Sequence, residues 1–240
     1  MGLARPGTGG TRYYDLAMAA FAVVLVLSNI ASSAKIVDLG VAVFGVPLAF
    51  DGGTLLFPFA YILGDVLTEV YGFRAARRAI WTGFAALGFS AGLFLGLALL
   101  PGEAGWAETV GNDAYGAVLG GMSSGGIVLA SLAGYLVGGF SNSILISRIK
   151  VLMNGRFFPF RALASTLVGQ LLDSLVFVSV ATLAGVFPPE LFLSLVLTNY
   201  VLKCLVETLV LPATSALVAA LKRREGIDVY DSEGKYRLVG

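Results

Sequence analysis

The sequence predicts an all-α, polytopic membrane protein with six transmembrane helices. Apolar residues make up 57% of its 240 positions and charged residues only 13%, a balance that a soluble domain does not need. Several apolar stretches approach or exceed the ~20 residues with which a helix crosses the hydrocarbon core of a bilayer. Basic residues are concentrated in every second connection between these stretches, as expected when those connections stay in the cytoplasm.

Six spans are expected within one transmembrane domain that covers residues 1–240. The second span differs from the others because it is short and carries two carboxylates, so a re-entrant or buried segment is the alternative. The spans run over about 14–35, 53–71, 78–100, 117–147, 161–187 and 191–221. Residues 222–240 are expected to form a cytoplasmic tail with a small hairpin around Ser232-Glu233-Gly234.

The distribution of charge determines the predicted topology. Apart from Lys35, the connections after the first, third and fifth spans contain no Lys or Arg, and they carry Asp and Glu instead. The basic clusters are Arg5 and Arg12, then Arg74, Arg77 and Arg78, then Arg148, Lys150, Arg156 and Arg161, and finally Lys222, Arg223 and Arg224. The positive-inside rule therefore places both termini in the cytoplasm. A cleaved signal peptide at the amino end would break this alternation.

Local sequence features predict the shape of individual elements. Ile36–Phe50 is rich in valine and contains Gly40 and Gly45, which favours a short extracellular hairpin between the first two helices. Pro58 in the second span and Pro212 in the sixth are each expected to kink a helix, because proline lacks an N–H and clashes with the preceding turn. Three spans in each half would run in opposite senses, as in a 3+3 inverted repeat.

Small residues recur at four-residue spacing in the third and fourth spans. Such stripes let helix backbones approach closely, so tight packing is expected along both of them. The stripes are Gly88, Gly92 and Gly96 in the third span, and Gly126, Ala130, Gly134 and Gly138 in the fourth.

Three spans carry polar side chains about one helical turn apart, so that each set lies on one face of its helix. These sets are Tyr61, Asp65 and Glu69 in the second span, Gln170 and Asp173 in the fifth, and Asn199, Lys203 and Glu207 in the sixth. Asn29 in the first span is a further candidate, although its amide could equally serve interhelical packing. A charge at mid-membrane costs about 2.5–3.5 kcal/mol on insertion scales, so these side chains are expected to face one another or a wet cavity.

The charges of these stripes do not balance. Lys203 cannot neutralise Asp65, Asp173 and Glu207 together, so at least one carboxylate is expected to be protonated or to pair with a substrate. We expect Glu207 or Asp173 to carry such a proton. The alternative is structural: Lys203 would form a salt bridge with Glu207 or Asp173, and Glu69 would pair with the arginines that follow the second span.

Composition excludes several classes of function. The chain contains no histidine and one cysteine, Cys204, inside the sixth span, so it lacks an intramolecular disulfide, a redox motif and the commonest metal ligand. We predict neither a metal nor a cofactor. The net charge of +1 and the placement of basic residues are explained by topology, and nothing predicts binding of nucleic acid. The lipid bilayer is the expected surrounding, and a homo-oligomer is compatible with the sequence.

Short motifs of polar and aromatic residues occur along most of the chain. They are Ser28-Asn29 followed by Lys35, Phe57-Pro58, Asp65-x3-Glu69-x-Tyr71-Gly72-Phe73 leading to Arg77, Gln170-x2-Asp173-Ser174 with Phe177, and Asn199-Tyr200-x2-Lys203-x3-Glu207. This pattern resembles the queuosine precursor transporter family, also called the vitamin uptake transporter family. The resemblance implies a multi-pass protein of the bacterial or archaeal inner membrane that takes up a deazaguanine, such as 7-cyano-7-deazaguanine, for salvage in tRNA modification.

The polar side chains suit such a ligand. A guanine-type edge presents adjacent N–H donors to a carboxylate and a carbonyl to an amide or ammonium group. The flat ring could stack on Tyr61, Phe177 or Tyr200. These contacts define the expected substrate site in the middle of the membrane.

Two other functions compete with this interpretation. The vitamin-binding S component of an energy-coupling factor transporter is also a compact six-helix protein, but the Ala-x3-Ala docking stripe expected of it is missing from the first apolar run. Gly64-Asp65 and Tyr14-Asp15 weakly resemble intramembrane aspartyl proteases, yet Ile62 replaces the first glycine of the Gly-x-Gly-Asp signature. We therefore predict a transporter and no enzymatic activity.

Overall fold

The computed structural model describes residues 13–43, 45–231 and 236–238, so Arg5, Arg12 and the predicted turn at Ser232-Glu233-Gly234 lie outside the described residues. Two strands lie between the first two helices, β1 (Ile36–Val43) and β2 (Val46–Asp51), and 3₁₀ turns at Gly52–Leu55 and Pro189–Leu191 precede α2 and α8. The helices are α1 (Tyr14–Ala34), α2 (Phe57–Tyr71), α3 (Phe73–Leu99), α4 (Ala104–Thr109), α5 (Gly111–Ser123), α6 (Gly126–Leu152), α7 (Phe158–Leu183) and α8 (Phe192–Glu225).

Five segments of the described chain are long and apolar enough to cross a membrane. They are Tyr14–Ala34, Phe73–Leu99, Gly111–Leu152, Phe158–Leu183 and Pro189–Glu225. Their large outward-facing side chains include Leu16, Phe89 and Leu209, which are 68%, 75% and 70% exposed. An apolar surface of this extent requires lipid around it. The protein is therefore a mostly helical, multi-pass membrane protein.

Helix α2 lies inside the bundle and differs from these five segments. All of its 15 residues except Phe59 and Leu63 are buried, and it packs against α1, α3, α6 and α8. Its length of about 22 Å is less than the ~30 Å of a bilayer core. The predicted kink at Pro58 is wrong, because this proline lies in the first turn of α2, where its missing N–H would have no helical partner.

The bundle has a basic end, defined by Lys150, Arg161 and Lys222. Here the start of α1 meets the end of α8, because the Tyr13 N–H donates to the Glu225 carboxylate at 2.7 Å. The start of α1 and the end of α8 therefore lie on the same side of the molecule.

The opposite, hairpin end is formed by β1 and β2. The strands pair antiparallel with Ile36 opposite Asp51, and the register shifts between Asp38 and Ala42. The Ala49 N–H of β2 donates to the Ser194 hydroxyl at 3.1 Å, which ties the hairpin to the start of α8.

The predicted fourth span, 117–147, is not one continuous helix. Helix α5 ends at Ser123 and α6 begins at Gly126, because Gly125 has a φ of +78°, a left-handed conformation that glycine adopts without strain. At the hairpin end, the Ser33 hydroxyl of α1 donates to the Val118 carbonyl of α5 at 3.0 Å. Helix α6 then runs to the basic end.

Small residues produce the close packing of α6 on α7. A Cβ added to Gly138 would lie 2.6 Å from the Gly169 carbonyl oxygen and 2.6 Å from the Tyr61 hydroxyl. The packing prediction is confirmed for this stripe. It is wrong for the stripe of α3, where nothing lies within 4 Å of a Cβ added to Gly88, Gly92 or Gly96.

The predicted cytoplasmic tail begins later than expected and packs against the bundle. Helix α8 continues through Pro212 to Glu225. The Val229 N–H then donates to the Val70 carbonyl at 3.3 Å, and the Asp231 carboxylate accepts from the Phe73 N–H at 2.9 Å. The described part of the tail therefore covers the ends of α2 and α3.

Candidate functional site

A buried ion pair joins α7 to α8 in the middle of the bundle. Lys203 Nζ donates to Asp173 Oδ2 at 2.8 Å, and the two side chains are 1% and 3% exposed. The ammonium group also lies 4.7 Å from the ring centroid of Phe57 and 5.7 Å from that of Phe177, which adds cation–π attraction. Of the two partners that the sequence allows for Lys203, the structure contains Asp173.

Two further carboxylates in this region are held by neutral groups. Asp65 of α2 accepts a hydrogen bond from Asn142 Nδ2 of α6 at 2.6 Å. Glu207 of α8 accepts from the Thr166 hydroxyl at 2.7 Å and from Gln170 Nε2 at 2.9 Å, both on α7. Among the residues that the structure describes, neither carboxylate belongs to an ion pair.

Asp65 and Glu207 line the same small pocket between α2, α7 and α8. Its other walls are formed by Ile62, Ala162, Leu163, Thr166, Thr208, Leu211 and Thr214. The cavity volume is about 10 Å³, enough for about one water molecule, whereas sites for small molecules usually measure ~300–1,000 Å³. The pocket is too small for such a ligand, which would fit only if these helices moved apart.

Several buried polar atoms near these carboxylates lack a hydrogen-bond partner within the described residues. They are Tyr61 Oη, Asn142 Oδ1, Gln170 Oε1 and Ser174 Oγ. Most buried polar atoms in proteins are hydrogen-bonded, so these atoms are candidates for contact with a ligand or water. The ring of Tyr61 packs edge-on against Tyr135, with centroids 5.2 Å apart, so its hydroxyl is held in a fixed region.

Glu69 lies one turn beyond Asp65 on α2, but its partners belong to the basic end. Arg161 donates to both carboxylate oxygens, at 2.7 and 3.1 Å. Lys222 lies 2.6 Å and Lys150 3.6 Å from Oε1. The predicted pairing of Glu69 with the arginines that follow α2 is therefore wrong, because cations of α6, α7 and α8 enclose this end of α2.

Asn199 belongs to a second polar network, at the hairpin end. Its Nδ2 donates to Asp51 Oδ2 at 2.7 Å, and its Oδ1 accepts from the Thr54 hydroxyl at 2.8 Å. Asp51 also accepts from the Gly53 N–H at 3.0 Å and from the Ser32 hydroxyl. This network ties α1, the start of α2 and α8 together.

Asn29 lies between α1 and α6. Its Nδ2 donates to the Leu25 carbonyl at 2.8 Å and to the Ser131 hydroxyl at 3.0 Å. Its Oδ1 has no partner in the part of the chain that the structure describes. The contacts of this side chain join two helices, the structural alternative that the sequence also allows.

The structure thus separates the predicted site residues into groups. Six of them belong to the central contacts or to the pocket: Tyr61, Asp65, Gln170, Asp173, Lys203 and Glu207. Sequence reasoning missed Thr166 and Asn142 as site residues. Both could have been found, since Thr166 lies one turn before Gln170 and Asn142 one turn after Gly138. No sequence signal marked Asp51, which lies in a predicted loop, as a buried carboxylate.

Comparisons with known proteins give consistent results for this chain. Residues 51–217 match the sequence profile of a protein family described as "Putative vitamin uptake transporter". A curated relative from Bacillus subtilis (strain 168), named "Probable queuosine precursor transporter", is 27% identical over 162 residues, which cover 67% of this chain and 68% of the relative. No solved structure matches the chain. The matched residues include α2, α6 and α7 in full and most of α8.

Proposed function

Because the chain belongs to the vitamin uptake transporter family, we propose that it carries a queuosine precursor, a deazaguanine such as 7-cyano-7-deazaguanine, across the inner membrane into the cell. The family match extends over residues 51–217 and includes all of the central polar side chains. The name of the curated relative supports the choice of substrate. The substrate is moved without chemical change, so no catalytic residue is proposed.

The observation that carries the proposal is the cluster of buried polar atoms around Asp65 and Glu207. Gln170 Oε1 and Asn142 Oδ1 lack donors within the described chain, and a guanine-type edge supplies adjacent N–H donors. The Tyr61 hydroxyl, which is also without a partner there, can donate to an acceptor on the ligand. A flat ring between α2 and α7 would lie beside the aromatic groups of Tyr61 and Phe177.

The two networks at the ends of the bundle would act as barriers on either side of this site. Glu69 and its three cations close the basic end, and the hydrogen bonds of Asp51 and Asn199 close the hairpin end. We propose that each network opens in turn, which would expose the central site to one side of the membrane at a time. In the closed conformation, the 10 Å³ pocket excludes the substrate from both sides.

We further propose six crossings, with both termini in the cytoplasm. Helix α2 begins beside the Asp51 network and ends at the Arg161–Glu69 pair, so it runs from the hairpin end to the basic end. Together with the preceding 3₁₀ turn of four residues, it spans about 30 Å. A buried helix needs no apolar outer surface, which explains why hydropathy detects it poorly.

Uptake of labelled 7-cyano-7-deazaguanine by liposomes that contain the purified protein tests the proposal. Liposomes loaded with unlabelled compound should accumulate label by exchange. We expect Asp65→Asn to lower the initial exchange rate about tenfold or more, because it removes a charged acceptor. The matched control, Asp113→Asn, changes an exposed carboxylate of α5 and should exchange at the wild-type rate.

The alternatives predict different results in the same assay. Exchange of a vitamin but not of the deazaguanine would refute the proposed substrate. Transport that appeared only after an ATPase partner was added would favour a vitamin-binding S component. Absence of exchange by protein that is folded would refute the proposed function altogether.

A further inference from the structure

Asp65 and Glu207 form an unbalanced pair of carboxylates in the core of the bundle. They are 2% and 5% exposed, and both line the pocket between α2, α7 and α8. Lys203, which acts electrostatically on Glu207, is already held by Asp173 at 2.8 Å. Two ionised carboxylates in a common pocket of low dielectric constant repel each other strongly. One proton shared between them would remove this repulsion.

The groups around the pair supply no second positive charge. The titratable side chains near it are Tyr61 and Glu69 of α2, Tyr135 of α6, Asp173 of α7, and Lys203 and Cys204 of α8. Glu69 is enclosed by its own cations. Over the described residues, the pocket is therefore left with an excess of negative charge unless it binds a proton.

Hydrogen bonding around the pair is compatible with a bound proton. Asn142 donates one N–H to Asp65, and Gln170 donates one to Glu207. The carbonyl oxygens of both amides are buried and lack donors within the described chain. Protonation of either carboxyl would convert one acceptor of this region into a donor.

Asp51 is a buried carboxylate that has more hydrogen-bond donors than Asp65 or Glu207. It is 1% exposed and also lacks a cation among the described residues, but it accepts hydrogen bonds from three donors. They are the Ser32 hydroxyl, the Gly53 N–H and the Asn199 amide. Such a set stabilises an ionised carboxylate, whereas Asp65 has one donor and Glu207 two.

We infer that Asp65 and Glu207 together bind one exchangeable proton and couple substrate movement to a proton gradient. This inference rests on the proposed function. The pair takes up a proton with the substrate when the pocket is open to the outside, and it releases both when the pocket opens to the cytoplasm. Protonation of one carboxyl leaves the other as an acceptor for substrate N–H groups. The sequence favours Glu207 or Asp173 as the proton carrier. Because Asp173 forms an ion pair with Lys203, the structure favours Glu207, together with Asp65.

The level of substrate accumulation in liposomes tests the coupling. With the membrane potential clamped at zero and an outside pH one unit below the inside pH, one proton per substrate supports about tenfold accumulation. The wild-type protein and the exposed-site control Asp113→Asn should approach this level. Asp65→Asn and Glu207→Gln should transport slowly and end at equal concentrations inside and outside. The final level does not depend on the transport rate.

Infrared spectroscopy of the purified protein tests the proton without any substrate. The wild type should show the carbonyl stretch of a protonated carboxyl near neutral pH, and the band should shift in heavy water. Asp65→Asn/Glu207→Gln should lose this band, and Asp113→Asn should keep it. The infrared band still tests for the bound proton if a variant transports no substrate.

The two experiments can contradict proton coupling, proton binding and deazaguanine transport separately. Wild-type liposomes that equilibrate the substrate without accumulating it would overturn the coupling and leave the transport function intact. A protonated-carboxyl band that is absent from the wild type, or unchanged in the double variant, would overturn the proton-binding pair. If no deazaguanine exchange occurs but the infrared result is as expected, the proposed function fails and the proton site stands.

Discussion

Arg161 is the side chain that holds Glu69 at the basic end of the bundle. It is fully buried and donates to both carboxylate oxygens of Glu69, at 2.7 and 3.1 Å. Removing one partner of a buried ion pair costs about 3–5 kcal/mol, because the other charge is left without compensation. Glu69 is therefore held by ion pairs at the basic end, although it shares a helical face with Asp65.

Asp228 fastens the tail to the same cluster of charges. Its carboxylate lies 2.5 Å from Lys150 Nζ and 2.9 Å from Lys222 Nζ. Burial alone would raise the pKa of the Asp228 carboxyl, but hydrogen bonds from the two lysines outweigh burial and lower this pKa. The ionised form therefore stabilises docking of the tail above the ordinary pKa of a carboxyl, and the stabilisation is lost as pH falls through the lowered value.

We predict that Asp228→Asn releases the tail at neutral pH. Hydrogen exchange at the Val229 amide, which donates to the Val70 carbonyl, should become several-fold faster, because charged hydrogen bonds are lost. In the wild type, protection should persist down to about pH 4. Mass spectrometry of the carboxy-terminal peptide measures both effects. Equal protection in the variant would show that the ion pairs do not hold the tail.

The packing of α6 on α7 depends on the absence of side chains along one stripe. We predict that Gly138→Ala destabilises the protein by about 1–3 kcal/mol, the usual cost of overpacking. The added methyl would lie 2.6 Å from the Gly169 carbonyl oxygen, the Asp173 Cβ and the Tyr61 hydroxyl. It should also slow transport, since it displaces two side chains of the central site. Denaturant unfolding in detergent measures the loss of stability.

Gly92→Ala is the matched control for this substitution. It makes the same chemical change in the stripe of α3, where no atom lies within 4 Å of the new Cβ. This variant should be as stable as the wild type or more stable by up to about 1 kcal/mol, because alanine favours the helix. Equal destabilisation of both variants would show that the cost does not arise from the α6–α7 contact.

The molecule as a whole is predicted to cross the membrane six times. In a Cys204→Ser background, a membrane-impermeant maleimide should label Glu108→Cys in intact cells. Arg156→Cys, which lies between α6 and α7 near the basic end, should react only after permeabilisation. Both positions are exposed, so a difference in labelling reports the side of the membrane.

Two other labelling patterns would contradict the predicted topology. If α2 did not cross the membrane, the connection that contains Glu108 would lie on the cytoplasmic side together with the amino end. Protection of Glu108→Cys in intact cells would therefore contradict six crossings. Labelling of both positions in intact cells would contradict the placement of the basic end in the cytoplasm.

The sequence predicted the helical membrane architecture well, because hydropathy and charge act locally along the chain. The polar stripes identified Asp65, Asp173, Lys203 and Glu207, since helical spacing alone places them on common faces. Pairing was harder to predict: the partners of Glu69 lie as far as 153 residues away. The docking of the tail also depends on tertiary contacts, which a linear pattern does not contain.

The distances along the chain between α2 and its partners affect how the protein is made. Arg161 follows Glu69 by 92 residues, and a ribosome needs about 5–20 s to synthesise that length. During this time α2 is a short helix with two carboxylates and without the cation that later pairs with Glu69. We therefore expect α2 to reach its final position only after α7 has been synthesised. The centre of the bundle would then be completed late in translation.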